Sequence, residues 1–94
     1  MKEDFLKLVS TELRLIRVEH GDYQEDLATK SGVAASTISK YESGDKNMKL
    51  SKIEQIIKPY GLELNIFFNR VIAKTHNTNN KTTNEEWENV RQDK

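Results

Sequence analysis

The stretch QEDLATKSGVAASTISKYESG, residues 24–44, decides the fold. It holds two short segments without Gly or Pro, residues 24–31 and 35–43, and each is followed by a glycine, Gly32 or Gly44. Glycine accepts the left-handed backbone geometry with which many helices end. The stretch therefore predicts two short helices joined by a tight turn.

Three residues of this stretch have the spacing of a helix-turn-helix. Ala28, Gly32 and Ile38 lie at i, i+4 and i+10: a small residue where the helices cross, a permissive residue in the turn, and a branched anchor for the second helix. The second helix has only Ile38 and Tyr41 as large apolar residues. Its other positions are polar or small, which suits a recognition helix in a DNA groove about 12 Å wide.

Further helices are predicted on both sides. Phe5, Val9, Leu13 and Ile16 recur at helical spacing between residues 2 and 20, which indicates an amphipathic helix. A fourth helix is predicted to follow residue 50 and to end between residues 57 and 60, before Gly61. The apolar positions of these helices form the expected core, namely Leu13, Ile16, Leu27, Ala28, Val33, Ile38, Leu50, Ile53 and Ile57.

Two helix starts have candidate capping residues. Asp22 is expected to cap the second helix, with Glu25 three residues further on. Ser51 and Glu54 have the Ser-x-x-Glu form of a capping box for the fourth helix.

The hydrophobic period changes after Gly61. Leu62, Leu64, Ile66 and Phe68 alternate with mostly polar neighbours, which predicts a β-strand. A single strand leaves an unpaired edge, and a second copy of the chain is the simplest partner for it. We therefore expect a dimerisation segment over residues 62–73 and a flexible tail over residues 74–94.

Composition excludes several classes of protein. The chain has 94 residues, enough for one small domain, and 15 basic and 15 acidic side chains. The charge is unevenly distributed: residues 1–29 carry four basic and seven acidic side chains, and residues 30–58 carry six and three. There is no cysteine, the two histidines lack neighbouring ligands, and no apolar run approaches the about 20 residues of a membrane span. We expect a cytoplasmic protein that is not an enzyme and has neither metal nor cofactor.

Residues 17–61 resemble the Xre or phage-repressor family of helix-turn-helix proteins. The resemblance lies in Arg17, Gln24, the Leu27-Ala28 pair, residues 32–44 and the helix that follows. It implies an all-α, lambda-repressor-like domain over residues 1–61, in which Arg17 and Glu42 form a structural ion pair. It also implies DNA contacts by Gln24, Ala34, Ala35, Ser36, Thr37, Ser39, Lys40, Ser43, Lys46, Asn47 and Lys49.

Residues 50–69 and the polar tail after them resemble the HipB-like antitoxins, which implies a bacterial, nucleoid-associated protein. In those proteins a strand at the position of residues 62–68 pairs with its copy, and a polar tail carries a Trp near its end, as Trp87 does here. This resemblance implies a homodimer that represses its own operon at a palindromic operator. It also implies a toxin partner, a HipA-like kinase, contacted by Trp87.

Two other functions stay open. A stand-alone Xre-type regulator of phage, plasmid or chromosomal origin binds DNA without a toxin. A helix-turn-helix used only for protein interaction shows no salt-dependent affinity for DNA, and the positive middle segment argues against it.

Overall fold

Within residues 2–78, the fold consists of five α-helices and one 3₁₀ turn. The computed structural model describes residues 2–78, and Trp87 with the rest of the predicted tail beyond residue 78 lies outside them. The elements are α1 (Lys2–Glu19), α2 (Gln24–Ser31), α3 (Ala35–Ser43), α4 (Leu50–Ile57), the 3₁₀ turn (Lys58–Tyr60) and α5 (Leu64–Thr78). The predicted bounds of α2 and α3 are confirmed.

Helix α1 is the centre of the packing, since it contacts both α3 and α5. Its apolar stripe meets side chains from every other helix in one core. That core consists of Val9, Leu13, Ile16, Leu27, Val33, Ile38, Tyr41, Ile53, Ile56, Ile57, Phe67 and Val71. Two of these residues belong to α5, so α5 shares the core of the helix-turn-helix.

The β-strand predicted over residues 62–68 is wrong, because residues 62–63 precede α5 and residues 64–68 form its first turns. Phe67 and Val71 are fully buried, whereas Ile66 is 43% exposed. Leu64, Phe67, Phe68 and Val71 follow a helical spacing that coexists with the alternating one. The helix is favoured here because α1 presents an apolar face that a helical stripe can cover.

A buried carboxylate also ties α5 to α1. The Glu12 side chain on α1 is only 3% exposed, and its Oε1 lies 2.5 Å from Lys74 Nζ on α5. Arg70 Nη1 lies 3.7 Å from the other carboxylate oxygen. A buried carboxylate needs such partners to offset the loss of its hydration. The two cations therefore help to set the position of α5 along α1.

Three smaller sequence predictions are corrected. Leu50 was expected in the core but is 59% exposed, because it is the first residue of α4 and faces outward. Ser51 lies inside α4, whose N-cap is Lys49 without a side-chain cap. The N-cap of α2 is Tyr23, and the Asp26 carboxylate accepts the backbone N–H of Tyr23 over 2.7 Å.

Asp22 instead belongs to a polar corner behind α2. Its Oδ2 accepts a hydrogen bond from the Tyr60 hydroxyl, 2.8 Å away, and pairs with Lys30 Nζ at 2.7 Å. The His20 ring stacks on the Tyr60 ring with 4.2 Å between centroids. This corner joins the end of α1, the start of α2 and the 3₁₀ turn. Within residues 2–78, none of the helices has the length and apolar character needed to cross a bilayer.

Candidate nucleic-acid interface

Helix α3 has one buried face and one polar face. Ile38 and Tyr41 are buried in the core. On the opposite side the helical spacing aligns Ser36, Ser39, Lys40 and Ser43. We call these four residues the polar face of α3. A helix anchored by two apolar residues and otherwise polar can enter a DNA groove without uncovering the core.

The first turn of α3 offers methyl groups. Ala34 is the N-cap and is exposed, and Ala35 is half-buried. Neither has a polar side chain, so the hydrogen-bonding side chains at this end of α3 are those of Ser36 and the half-buried Thr37. Alanine methyl groups fit contact with thymine methyl groups or recognition through DNA shape.

A buried ionic cluster fixes the angle between α2 and α3. Arg17 donates to both Glu42 oxygens, Nε to Oε2 over 2.8 Å and Nη2 to Oε1 over 3.0 Å. Gln24 Nε2 donates to Glu42 Oε1 over 3.1 Å. The hydrogen bond to Glu42 raises the pKa of Arg17, so the guanidinium stays charged. Gln24, the first residue of α2, therefore braces α3 through its side chain.

The loop between α3 and α4 carries the basic residues. Gly44 ends α3 with φ of 100°. This left-handed conformation is strained for any residue other than glycine. Lys46, Asn47 and Lys49 follow, and all three are exposed. We call residues 44–49 the α3–α4 loop.

The α3–α4 loop lies beside the C-terminal end of the polar face. Lys40, Ser43, Gly44, Asp45 and Asn47 line one open depression. Ser43 Oγ donates to the backbone carbonyl of Ser39 over 2.8 Å. A contact of Ser43 with an external phosphate therefore requires its hydroxyl to rotate. The structure thus brings Lys40, Ser43 and Asn47 together, whereas Gln24 does not line this depression and is hydrogen-bonded to Glu42.

Two residues of this region were not singled out from the sequence. Asp45 Oδ1 accepts the backbone N–H of Asn47 over 2.8 Å, a side-chain turn that the Asp-x-Asn pattern could have indicated. The Tyr41 hydroxyl accepts the backbone N–H of Lys49 over 3.0 Å, and no sequence pattern signals that contact.

Charge favours an anionic partner at this surface. Lys40, Lys46 and Lys49 are exposed around the loop, while Asp45, the acidic residue among them, is half-buried with its carboxylate engaged in the turn. No group of three or more potential metal ligands occurs within residues 2–78. This surface therefore offers positive charge and hydrogen-bond donors to an anionic partner.

Comparisons with known proteins agree with this geometry. A family model described as helix-turn-helix matches residues 13–67. The cryptic phage CTXphi transcriptional repressor RstR of Vibrio cholerae is 35% identical over 57 residues, which are 61% of this chain and 51% of that repressor. The chain thus spans about half the length of this curated relative.

Solved structures of a restriction-modification controller protein, C.Esp1396I, are also similar. The wild-type protein is 33% identical with a TM-score of 0.70, and the match covers 78% of this chain and 95% of that one. The same controller, crystallised as a tetramer with its natural 35 base-pair operator, is 35% identical with a TM-score of 0.67, covering 73% and 91%. The family match, these similarities and the cluster around Glu42 lead to one conclusion: this chain belongs to the Xre-type helix-turn-helix family.

Proposed function

We propose that the protein is a sequence-specific DNA-binding transcriptional repressor. The observation that carries this proposal is the polar face of α3, which lies opposite the buried Ile38 and Tyr41 and next to the lysines of the α3–α4 loop. Support comes from the names of the relatives, a phage transcriptional repressor and a controller protein solved with operator DNA.

The proposed contacts divide into two groups. Ser36, Thr37, Ser39 and Lys40 reach base edges in the major groove, with Ala34 and Ala35 in methyl or shape contact. The residues that contact phosphates are Gln24, Ser43, Lys46, Asn47 and Lys49. The first group sets sequence preference and the second sets position and salt dependence.

We further propose that two copies bind a palindromic operator, with their recognition helices about 34 Å apart. The interface cannot be the strand predicted from Leu62, Leu64, Ile66 and Phe68. Leu62 precedes α5, and the other three residues lie in its first turns. The outer side of α5 takes its place, because Ile66 and Ile72 are 43% and 46% exposed. Phe68, one helical turn before Ile72, stacks on Phe5 with ring centroids 6.3 Å apart. The tetramer of the controller protein on its operator supports an oligomer.

The antitoxin role stays a prediction. The resemblance to HipB-like proteins relied on a strand that is helical here, and on Trp87, which lies outside the described residues. A HipA-like toxin is tested by pull-down with the full chain and with a chain ending at Thr78, which keeps α5 whole. Loss of a co-purified kinase on truncation, with DNA binding retained, would establish the toxin contact. The stand-alone regulator is the function that the described residues support.

Selection from a random duplex library tests the proposed function. We expect the full chain to enrich palindromic sequences, and its affinity for them to fall as salt rises with a slope that reports several phosphate contacts. A reporter gene behind an enriched sequence should then be repressed. Absence of enrichment together with absence of salt-dependent binding would reject the proposal.

A further inference from the structure

The backbone amide of Lys49 has an unusual partner. Lys49 is the N-cap of α4, and it has no side-chain cap of its own. Its N–H donates to the hydroxyl of Tyr41, 3.0 Å away on α3. The Tyr41 ring is buried, with 5% of the residue exposed. One side chain therefore anchors α3 in the core and also holds the start of α4.

The rest of the α3–α4 loop is fixed as well. The Asp45 N–H donates to the carbonyl of Lys40 over 3.2 Å, and the Asp45 carboxylate holds the N–H of Asn47. The loop is thus secured at its beginning, in its middle and, through Tyr41, at its end. The exposed side chains of Lys46 and Asn47 lie between these fixed points.

We infer that the Tyr41 hydroxyl is a positioning group for DNA backbone binding. By holding Lys49 and the first turn of α4 at a set distance from α3, it places the phosphate contacts in register with the base contacts. A loop ordered before binding loses less conformational entropy when it meets DNA. This inference rests on the proposed DNA-binding function. It means that Tyr41 contributes to DNA affinity through its hydroxyl, in addition to the packing of its buried ring in the core.

The chain supplies a matched control. The Tyr60 hydroxyl also makes one hydrogen bond, to Asp22, but in the polar corner behind α2. Tyr41→Phe and Tyr60→Phe each remove one bonded hydroxyl and keep the ring. They differ in whether the lost bond belongs to the α3–α4 loop.

The experiment measures the affinity of the full chain and both variants for an enriched duplex and for an unrelated duplex, at several salt concentrations. We expect Tyr41→Phe to weaken both complexes about fivefold, the effect of one hydrogen bond. We also expect its salt slope to be shallower by up to about one phosphate equivalent. Tyr60→Phe should leave affinity and slope unchanged. Amide exchange at Lys49 should be faster in Tyr41→Phe alone.

A double-mutant cycle separates positioning from general stability. If Tyr41 acts through the loop, Lys49→Ala should cost less affinity in the Tyr41→Phe background than in the wild type. A role limited to stability lowers the melting temperature but leaves the cycle additive. Should Tyr41→Phe fail to fold, Lys49→Pro against Lys49→Ala provides the same test, because only proline removes the bonded N–H. The proline variant is then expected to bind about fivefold more weakly.

The outcomes are distinguishable. If the wild type binds no duplex in a salt-dependent manner, the proposed function itself fails. If the wild type binds and Tyr41→Phe has the same affinity and slope, the inference is wrong and the proposed function stands. Equal affinity of Lys49→Pro and Lys49→Ala overturns it in the same way.

Discussion

Arg17 and Glu42 form a bidentate ion pair, in which Arg17 Nε donates to Glu42 Oε2 over 2.8 Å and Arg17 Nη2 donates to Glu42 Oε1 over 3.0 Å. Their side chains are 11% and 4% exposed. The pair joins α1 to the recognition helix across 25 positions of sequence. An ion pair this deep is costly to break from one side, because the remaining charge keeps its burial and loses its partner.

We expect Glu42→Ala to lower the free energy of unfolding by about 3 to 5 kcal/mol. Urea denaturation monitored by circular dichroism measures this change. The control is Arg17→Met combined with Glu42→Leu, which removes both charges. A double variant less stable than Glu42→Ala would contradict this account of the pair.

Lys40 is expected to contribute to operator affinity. Its ammonium lies on the polar face of α3, next to the α3–α4 loop. Lys40→Ala should weaken the preferred complex by about 1 to 3 kcal/mol and leave the fold intact. Lys58→Ala is the matched control, since Lys58 is an exposed lysine at the other end of α4. Equal affinities of the two variants in fluorescence anisotropy would remove Lys40 from the interface.

Placing charged side chains on the outer side of α5 tests the proposed dimer surface. Replacing Ile66 and Ile72 with lysine should raise the dimer dissociation constant by about tenfold or more, because two apolar contacts become repulsive. Sedimentation equilibrium measures the change. Val18→Lys is the control. Val18 is also exposed, at 51%, but it lies near the C-terminal end of α1, whereas Phe5 lies near the N-terminal end. A dimer undisturbed by the α5 substitutions would place the interface elsewhere.

Phe67 and Ile66 distinguish a helix from a strand. Phe67 is fully buried in α5 and its neighbour Ile66 is half exposed. We expect Phe67→Ala to cost about 3 to 5 kcal/mol and Ile66→Ala well under half of that. A strand with Ile66 on its apolar face would reverse the order, so thermal unfolding of the two variants decides between them.

The pair of Tyr60 and Asp22 makes stability depend on pH at both ends of the scale. Burial first, and then the hydrogen bond to Asp22, holds the pKa of Tyr60 well above its ordinary 10. The unfolded chain therefore loses this proton before the folded chain does, so the stabilisation is complete below about pH 10 and falls above it. Urea titrations between pH 8 and 11 should show this loss in the wild type relative to Tyr60→Phe.

Asp22 has the opposite sign. Hydrogen bonds from Lys30 and then from Tyr60 lower the pKa of Asp22. Its contribution is present above the unfolded value of about 4 and is lost as pH falls through the folded value. Asp22→Asn should remove this acid limb from the stability curve, and an unchanged limb would assign it to another carboxylate.

The sequence predicts most of this fold because the signals for α1 to α4 are local. Glycines at residues 32 and 44 mark helix ends, and Ile38 marks the buried side of α3. In contrast, the geometry of residues 62–68 depends on a distant partner. These seven residues place apolar side chains at both two-residue and helical spacing, so the pattern is ambiguous, and Val71 is needed to extend the helical series.

The candidate site divides in the same way. The positions of the polar face follow from helical spacing once α3 is located. The contact between the Tyr41 hydroxyl and the Lys49 amide does not, because it depends on how a six-residue loop closes between two helices. The exposure of Leu50 could not be predicted for the same reason. Whether an apolar residue in the first turn of α4 faces the core or the solvent depends on how the preceding loop orients that helix.

The contact of α1 with α5 has a consequence for synthesis of the protein. Helix α1 leaves the ribosome before α5, yet α5 covers one side of α1 through residues that include Phe67, Val71 and the cations that pair with Glu12. A nascent chain that stops short of these residues exposes apolar surface and carries an unpaired carboxylate. Synthesis therefore yields either the complete helical domain or an open intermediate that chaperones and proteases can bind.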